Sequence, residues 1–335
     1  MKPPAGRSPT LSLVVPVHNE TGSIDPFLAH TVPVLTKLGK GFDYEIVFVD
    51  DGSTDATLAE LTAARKANPR VKIVALSRNF GKDTALAAGL AHASGKAVIP
   101  MDVDLQDPPE VIPELYARWR EGFEVVNARR ADRSSDGWLK RTTSRAFYRV
   151  FNRMADRPIL EDVGDFRLLD RRVVEVLNQF PERARFMKGL FSWVGFSQCV
   201  VEYQRAERHA GQTKWKYWRL WNFAIDGITS FTTVPLRIWT YIGAFIALLA
   251  FVFALYLVVR TLAFGADTPG YASLMVVILF FGGVNLLTLG VIGEYLGRTY
   301  TEVKGRPLYI IDKTFGFEAP KPAKAPAPRA SRARR

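Results

Sequence analysis

The sequence predicts an α/β fold: a mostly parallel, Rossmann-like sheet with crossover helices, followed by a membrane-directed C-terminal part. Three observations point there. Short runs at Leu11–Val17 (LSLVVPV), residues 44–49 (YEIVFV) and residues 96–101 (KAVIPM) are apolar and rich in β-branched side chains, as strands are. Each run ends at once in a polar, mostly acidic cluster: His18-Asn19-Glu20, Asp50-Asp51 and Asp102-Val103-Asp104. Helical patterns lie between them, the alternation that parallel sheets require.

The first strand delivers Pro16 and Val17 to its polar end. The second runs through Val49 into Asp50 and Asp51. One reading of this loop is capping, with Ser53, Thr54 or Asp55 closing a helix over residues 56–66. Capping leaves Asp50 and Asp51 unexplained together. An acidic strand end suits hydrogen bonding to a base or ribose and does not suit a bare phosphate. No G-x-G-x-x-G follows the first strand and no G-x-x-x-x-G-K-[ST] occurs, which argues against a dehydrogenase or a P-loop NTPase. At the third strand end, alternate side chains point the same way, so Asp102 and Asp104 can share one hard cation. Open α/β sheets bind ligands at that edge. A surface turn is the plain alternative for an isolated Asp-x-Asp, and the second acidic cluster weighs against it.

The chain has 335 residues, 48% of them hydrophobic, and a net charge of +12, enough for one domain plus membrane segments. Its single cysteine, Cys199, allows no intramolecular disulfide and fits a reducing compartment. Four scattered histidines, His18, His30, His92 and His209, argue against a zinc site. The first ten residues hold no long apolar run, so no signal peptide is expected and the sheet domain is expected in the cytoplasm.

Residues 238–259 and 272–292 carry no charge. Each is long enough for a bilayer core, which needs roughly 20 apolar residues. With residues 260–271 as a turn they read as a transmembrane hairpin; a buried helix pair in a soluble domain is the alternative. Arg237 precedes the hairpin and Arg298, Lys304 and Arg306 follow it. The positive-inside rule puts both ends in the cytoplasm, as in a multi-pass inner (cytoplasmic) membrane protein. Asn285 and Thr288 are expected to hydrogen-bond between the helices. Residues 214–235, with Trp215, Trp218 and Trp221 beside Lys214, Lys216 and Arg219, fit an interfacial helix. Residues 138–155 repeat Phe147, Val150, Phe151 and Met154 among basic side chains, which fits membrane contact or an ordinary packed helix. The Pro/Ala-rich basic tail, residues 319–335, reads as disordered and directed to anionic lipid rather than nucleic acid. The expected division is an extension (1–10), the sheet domain (11–213), interfacial helices (214–236), the hairpin (237–297), a cytoplasmic segment (298–318) and the tail.

The strings VVPVHNE (residues 14–20), IVFVDDGSTDAT (46–57), SRNFGKDTALAAGL (77–90) and MDVDLQDPPE (101–110) resemble family 2 glycosyltransferases. More narrowly, they resemble the polyprenyl-phosphate group, which includes dolichol-phosphate mannose synthase and the bactoprenol glucosyltransferases. The resemblance spans residues 11 to about 312. It departs at His18, where a Tyr is usual. It implies a GT-A type fold and an inverting transfer from a UDP- or GDP-linked sugar to polyprenyl phosphate. By the same resemblance, Asp50 and Asp51 hold base and ribose, and Pro16, Val17, Glu20, Val49 and Val103 line the donor pocket. Asp102 and Asp104, with Gln106, position Mg²⁺ or Mn²⁺ on the diphosphate. Arg205, Arg208 and Lys214, in RAERHAGQTK, match the family's basic loop, and Arg129 matches a phosphate contact. Residues 161–167 (EDVGDFR) match its acidic acceptor-side motif. There Asp162 or Asp165 orients the acceptor, holds a basic residue or acts as base. Glucose is the first expectation for the sugar; mannose, N-acetylated sugars and aminoarabinose stay open. A homo-oligomer is compatible with the anchor.

Two other classes are weighed. A processive polysaccharide synthase is expected to carry Q-x-x-R-W and more spans, and here Arg118-Trp119 lacks the Gln. A non-catalytic membrane adaptor on the same scaffold is disfavoured by intact Asp51, Asp102, Asp104, Arg208 and Lys214.

Overall fold

The computed structural model describes residues 9–39, 42–131, 152–153, 160, 163–182, 187–204, 234–264 and 270–317. Within them, eight strands form one sheet: β1 (Leu11–Val17), β2 (Tyr44–Asp50), β3 (Val71–Leu76), β4 (Ala97–Pro100), β5 (Val125–Arg130), β6 (Val163–Asp170), β7 (Gln198–Tyr203) and β8 (Ile311–Phe315). Their order is β7-β5-β6-β4-β1-β2-β3-β8. β1 runs parallel to β2 and β4, β2 to β3, and β5 to β7. β6 lies antiparallel between β4 and β5, and β8 lies antiparallel to β3 at the edge. The mostly parallel α/β class is as expected.

The helices of this domain are α1 (Ile24–Lys37), α2 (Thr57–Ala67), α3 (Lys82–His92), α4 (Ile112–Arg120), α5 (Arg171–Gln179) and α6 (Met187–Trp193). Alternation along the strands divides the core between two faces. Leu11, Leu13, Val15, Ile46 and Phe48 pack with Phe27, Leu35, Leu61, Ile112 and Leu115 of α1, α2 and α4. Val14, Val47 and Val49 pack with Leu86 and Leu90 of α3, Val173 and Leu177 of α5 and Phe191 of α6. Covering both faces is why the central strands β1, β2 and β4 are largely apolar instead of alternating with polar residues. The small residues of α3 let it lie close to the sheet. A Cβ at Gly89 would stand 2.2 Å from Val14 Cγ1 and 3.0 Å from Val49 Cγ2, so only glycine fits there without displacing those buried side chains.

At the end of the sheet away from the acidic clusters, Glu45 ties four segments together. Its carboxylate accepts from the Ser12 hydroxyl at 2.5 Å, from the Ser94 amide at 2.6 Å and from the Ser94 hydroxyl at 2.8 Å, and it pairs with Lys72 at 2.6 Å. Burial alone raises its pKa, but these partners outweigh burial and hold it below the ordinary glutamate value.

Beyond the sheet domain, α7 (Val234–Phe264) and α8 (Tyr271–Val303) are long helices whose described large apolar side chains are mostly exposed, Phe251 and Leu286 among them. Among the described residues, Val276–Val303 is long and apolar enough to cross a membrane; Tyr241–Phe253 is a shorter apolar segment.

The structure differs from expectation at three places here. Helix α7 continues through Arg260 to Phe264, because no Gly or Pro interrupts it before Gly265. The Thr288 hydroxyl donates to Val284 O of its own helix at 2.9 Å rather than across to α7, since a short hydroxyl reaches the carbonyl one turn back. Residues 298–318 are not a separate segment: α8 runs to Val303, and Ile311–Phe315 joins the sheet as β8. The two expected interfacial helices fall almost wholly on residues outside those described, and the tail does so entirely.

Glu45→Gln should lower unfolding free energy by about 1–3 kcal/mol at neutral pH, because it strips a buried network of its acceptor. The folded pKa is depressed, so this stabilisation is present above the unfolded value of about 4.3 and is lost as pH falls through the folded one. Thermal unfolding in detergent should therefore separate wild type from variant at pH 7, and the gap should begin to narrow below the unfolded value and close only as pH falls through the depressed folded one.

Candidate active site

Parallel register collects the polar strand ends at one edge. Pro16 pairs with Val49 and Val17 with Asp50, while Val14 pairs with Pro100, the last residue of β4. Antiparallel β6 presents its beginning, Val163 to Asp165, at the same edge where the parallel strands end. β5 and β7 finish there with Arg129 opposite Glu202 and Arg130 opposite Tyr203.

The acids of the second loop turn inward. Asp50 is 2% exposed and accepts from the Ser53 amide at 3.2 Å. Asp51 is 3% exposed and receives the Phe80 and Gly81 amides at 2.7 and 2.9 Å, one on each carboxylate oxygen. It thereby fixes the turn into α3. Gly52 (φ +64°) makes that approach possible: a Cβ there would stand 2.3 Å from the Arg78 carbonyl carbon. Asp55 accepts from Thr57 N–H at 3.0 Å and from both the amide and hydroxyl of Thr21, joining α2 to the first polar cluster. His18 donates from Nδ1 to Asp51 O at 2.9 Å, so the ring that replaces the usual Tyr is fastened to the same loop.

Glu20 feels the charge of the third cluster. Burial raises its pKa above the ordinary glutamate value, a Ser23 hydrogen bond opposes this, and the charges of Asp104 and Asp102 add to the rise. Asp104 Oδ1 accepts from the Gln106 amide at 3.1 Å. Gln106 is 4% exposed and its side-chain amide Nε2 has no hydrogen-bond partner among the described residues. Asp107 beside it takes the Tyr203 hydroxyl, which pins the end of β7 to this loop. Burial and the Asp107 charge push that phenol well above the usual tyrosine range.

Lys82, the first residue of α3, enters this group. Its Nζ lies 2.7 and 2.8 Å from the two carboxylate oxygens of Asp102 and 2.9 Å from Asp165 Oδ2. Burial pulls the ammonium down, but the Asp165 and Asp102 charges outweigh it and hold the lysine well above its ordinary range. The structure thus joins Asp102 with Asp165, two residues that the sequence places 63 positions apart. Arg129 is paired with Glu202. Asp162, Arg205, Arg208 and Lys214 lie outside the described residues. Lys82 and the Tyr203–Asp107 contact were not singled out from sequence. Lys82 lies within SRNFGKDTALAAGL, and a lysine opening a helix is the available signal, because the helix dipole disfavours it there.

The description "Glycosyl transferase family 2" matches residues 12–177, and "GtrB C-terminal hairpin" matches residues 234–299. The chain is 53% identical to an uncharacterised glycosyltransferase of Synechocystis sp., over 92% of this chain and 96% of the relative. It is 54% identical to a prophage-derived bactoprenol glucosyl transferase of Shigella flexneri, over 91% and 98%. A prophage bactoprenol glucosyl transferase homolog of Escherichia coli K12 is 52% identical over 90% and 98%. The chain belongs to glycosyl transferase family 2. It is an enzyme of that family, and its catalytic part is the mixed α/β sheet domain described above.

Asp51→Ala should leave the Phe80 and Gly81 amides without acceptors, at about 1–3 kcal/mol of local stability. Amide hydrogen exchange should show those two positions opening faster, while β1 and β2 amides keep their protection.

Proposed function

We propose that this protein moves glucose from UDP-glucose to a polyprenyl phosphate at the cytoplasmic face of the membrane, with inversion at the anomeric carbon. The observation that carries the reading is the meeting of Asp102 on the donor side with Asp165 on the acceptor side through one ammonium ion. Relatives covering nine-tenths of the chain are named bactoprenol glucosyl transferases, which supports the sugar and the lipid.

The donor set suits a hard cation. Asp102 and Asp104 offer carboxylates, and the buried Gln106 amide, unpartnered at Nε2 among the described residues, offers an oxygen or a donor depending on its orientation. Among the described residues no three Asp, Glu, His or Cys side chains form a metal cage, which leaves the sugar diphosphate to complete the shell. Mg²⁺ or Mn²⁺, when bound, offsets charge on the departing nucleotide. Pro16, Val17, Val49 and Val103 wall the donor side, and Asp50 and Asp51 shape the loop that receives base and ribose.

The acceptor phosphate has a second pKa of about 6, so it attacks largely as a dianion and needs no strong base. Asp165 is engaged by Lys82, which favours holding a basic residue over proton abstraction. Arg205, Arg208, Lys214 and Arg129 would lower the repulsion between the two anions, with Asp162 orienting the acceptor.

Two spans, both ends cytoplasmic, are supported by the hairpin match over residues 234–299 and by β8, which returns the chain after α8 to the sheet domain.

The test is transfer from a panel of UDP- and GDP-sugars to undecaprenyl phosphate, with and without EDTA. UDP-glucose should give a chelator-sensitive lipid product. Asp104→Asn should reduce transfer by about 10³-fold or more, the scale of losing electrostatic stabilisation of a leaving group, with thermal unfolding unchanged. Full activity of that variant, or transfer indifferent to EDTA, would refute the cation site.

A further inference from the structure

Lys82 stands where a cation would stand. Its ammonium is equidistant, within 0.1 Å, from both oxygens of Asp102, at 2.7 and 2.8 Å. It reaches Asp165 Oδ2 at 2.9 Å in the same pose. The side chain is aimed there by a built support. Asp51 receives the Phe80 and Gly81 amides, Gly81 turns with φ +97°, and α3 begins at Lys82. A helix start disfavours positive charge, so the position is maintained by the two carboxylates. A divalent cation bound to Asp102 at oxygen distances of about 2.0–2.2 Å would need an oxygen that the ammonium holds. Two cations therefore contend for one carboxylate.

We propose that Lys82 is a positioning residue that keeps the cation site closed to bare metal and opens it to metal carried with the nucleoside diphosphate. In the donor-free enzyme the ammonium bridges Asp102 and Asp165. When the diphosphate arrives, its oxygens add ligands to the cation and negative charge for the lysine. Asp102 passes to the metal, while Lys82 remains on Asp165 and turns its other protons to the phosphates. Loading is thereby coupled: diphosphate and cation each bind better with the other present, and the lysine sets the size of that coupling. This inference rests on reading Asp102 and Asp104 as a cation site.

The test is Mn²⁺ titration of full-length protein in detergent, followed by electron paramagnetic resonance, with and without UDP. Wild type, Lys82→Met, Lys82→Gln and Asp104→Asn are compared. Without UDP, both lysine variants should bind Mn²⁺ about thirtyfold more tightly than wild type, the effect of removing one unit charge about 4 Å from a divalent cation at water-like dielectric. With UDP that gain should vanish, so the factor by which UDP tightens Mn²⁺ falls in the variants. Asp104→Asn should bind none. A side chain that merely supports the fold predicts the opposite sign, with affinity unchanged or lower. If wild type binds Mn²⁺, Asp104→Asn does not, and the lysine variants bind equally or more weakly, the inference is overturned and the cation site stands. If no protein binds Mn²⁺ with or without UDP, the cation site falls and the inference falls with it.

Discussion

Strand register at the centre of the sheet governs where every acid of the site stands. Val17 lies opposite Asp50 and Val14 opposite Pro100, so three polypeptide ends emerge side by side with no freedom to slip. A shift of one residue would turn Leu13 and Val15 from one core face to the other. The packing of Phe27, Phe48 and Leu61 on one face, and of α3 on the other, forbids it. The hydrophobic pattern that builds the core is thus the same pattern that lines up Glu20, Asp50 and Asp102. Chemistry here is a by-product of register before it is a matter of side chains.

Onto that edge β6 brings something the parallel strands cannot. Because it runs antiparallel, its beginning, not its end, meets the ends of β4 and β5. Asp165 therefore faces Asp102, and the two are held by Lys82 from a third element, α3. Like charges this close repel unless something positive lies between them. The lysine supplies that, while Asp51 spends both oxygens on holding the turn from which the lysine projects. The loop acids divide into those that build the site and those that face it.

Much of this could be read from the chain, for reasons that are local. Apolar runs of strand length, acids at their ends and the four family-like strings are contiguous features, and β1, β2 and β4 fell where those features put them. What could not be read depends on strand order. Nothing in VGDFRLLD says that it runs antiparallel beside β4, so the neighbourhood of Asp165 was invisible. Nothing in IDKTF, all of it exposed except a half-buried Phe315, announces a return to the sheet after two long helices. Asp51 illustrates a further limit: its position was legible, but its partners are backbone amides 29 and 30 residues away, which carry no sequence signature.

The strand order also says how the two halves of the chain are joined. β7 is one border of the sheet and β8 the other, and the long helices lie between them in the chain. The chain leaves at one border and comes back at the opposite one, about 34 Å away across seven spacings of about 4.8 Å. The helices are thus an insertion with two widely separated points of attachment, not an appendage hung from one. A body suspended from a single linker can swivel and tip. One joined at both borders has fewer ways to turn against the helices than one joined at a single border. The second attachment also hides the outer hydrogen-bonding row of β3, which would otherwise invite pairing with another chain.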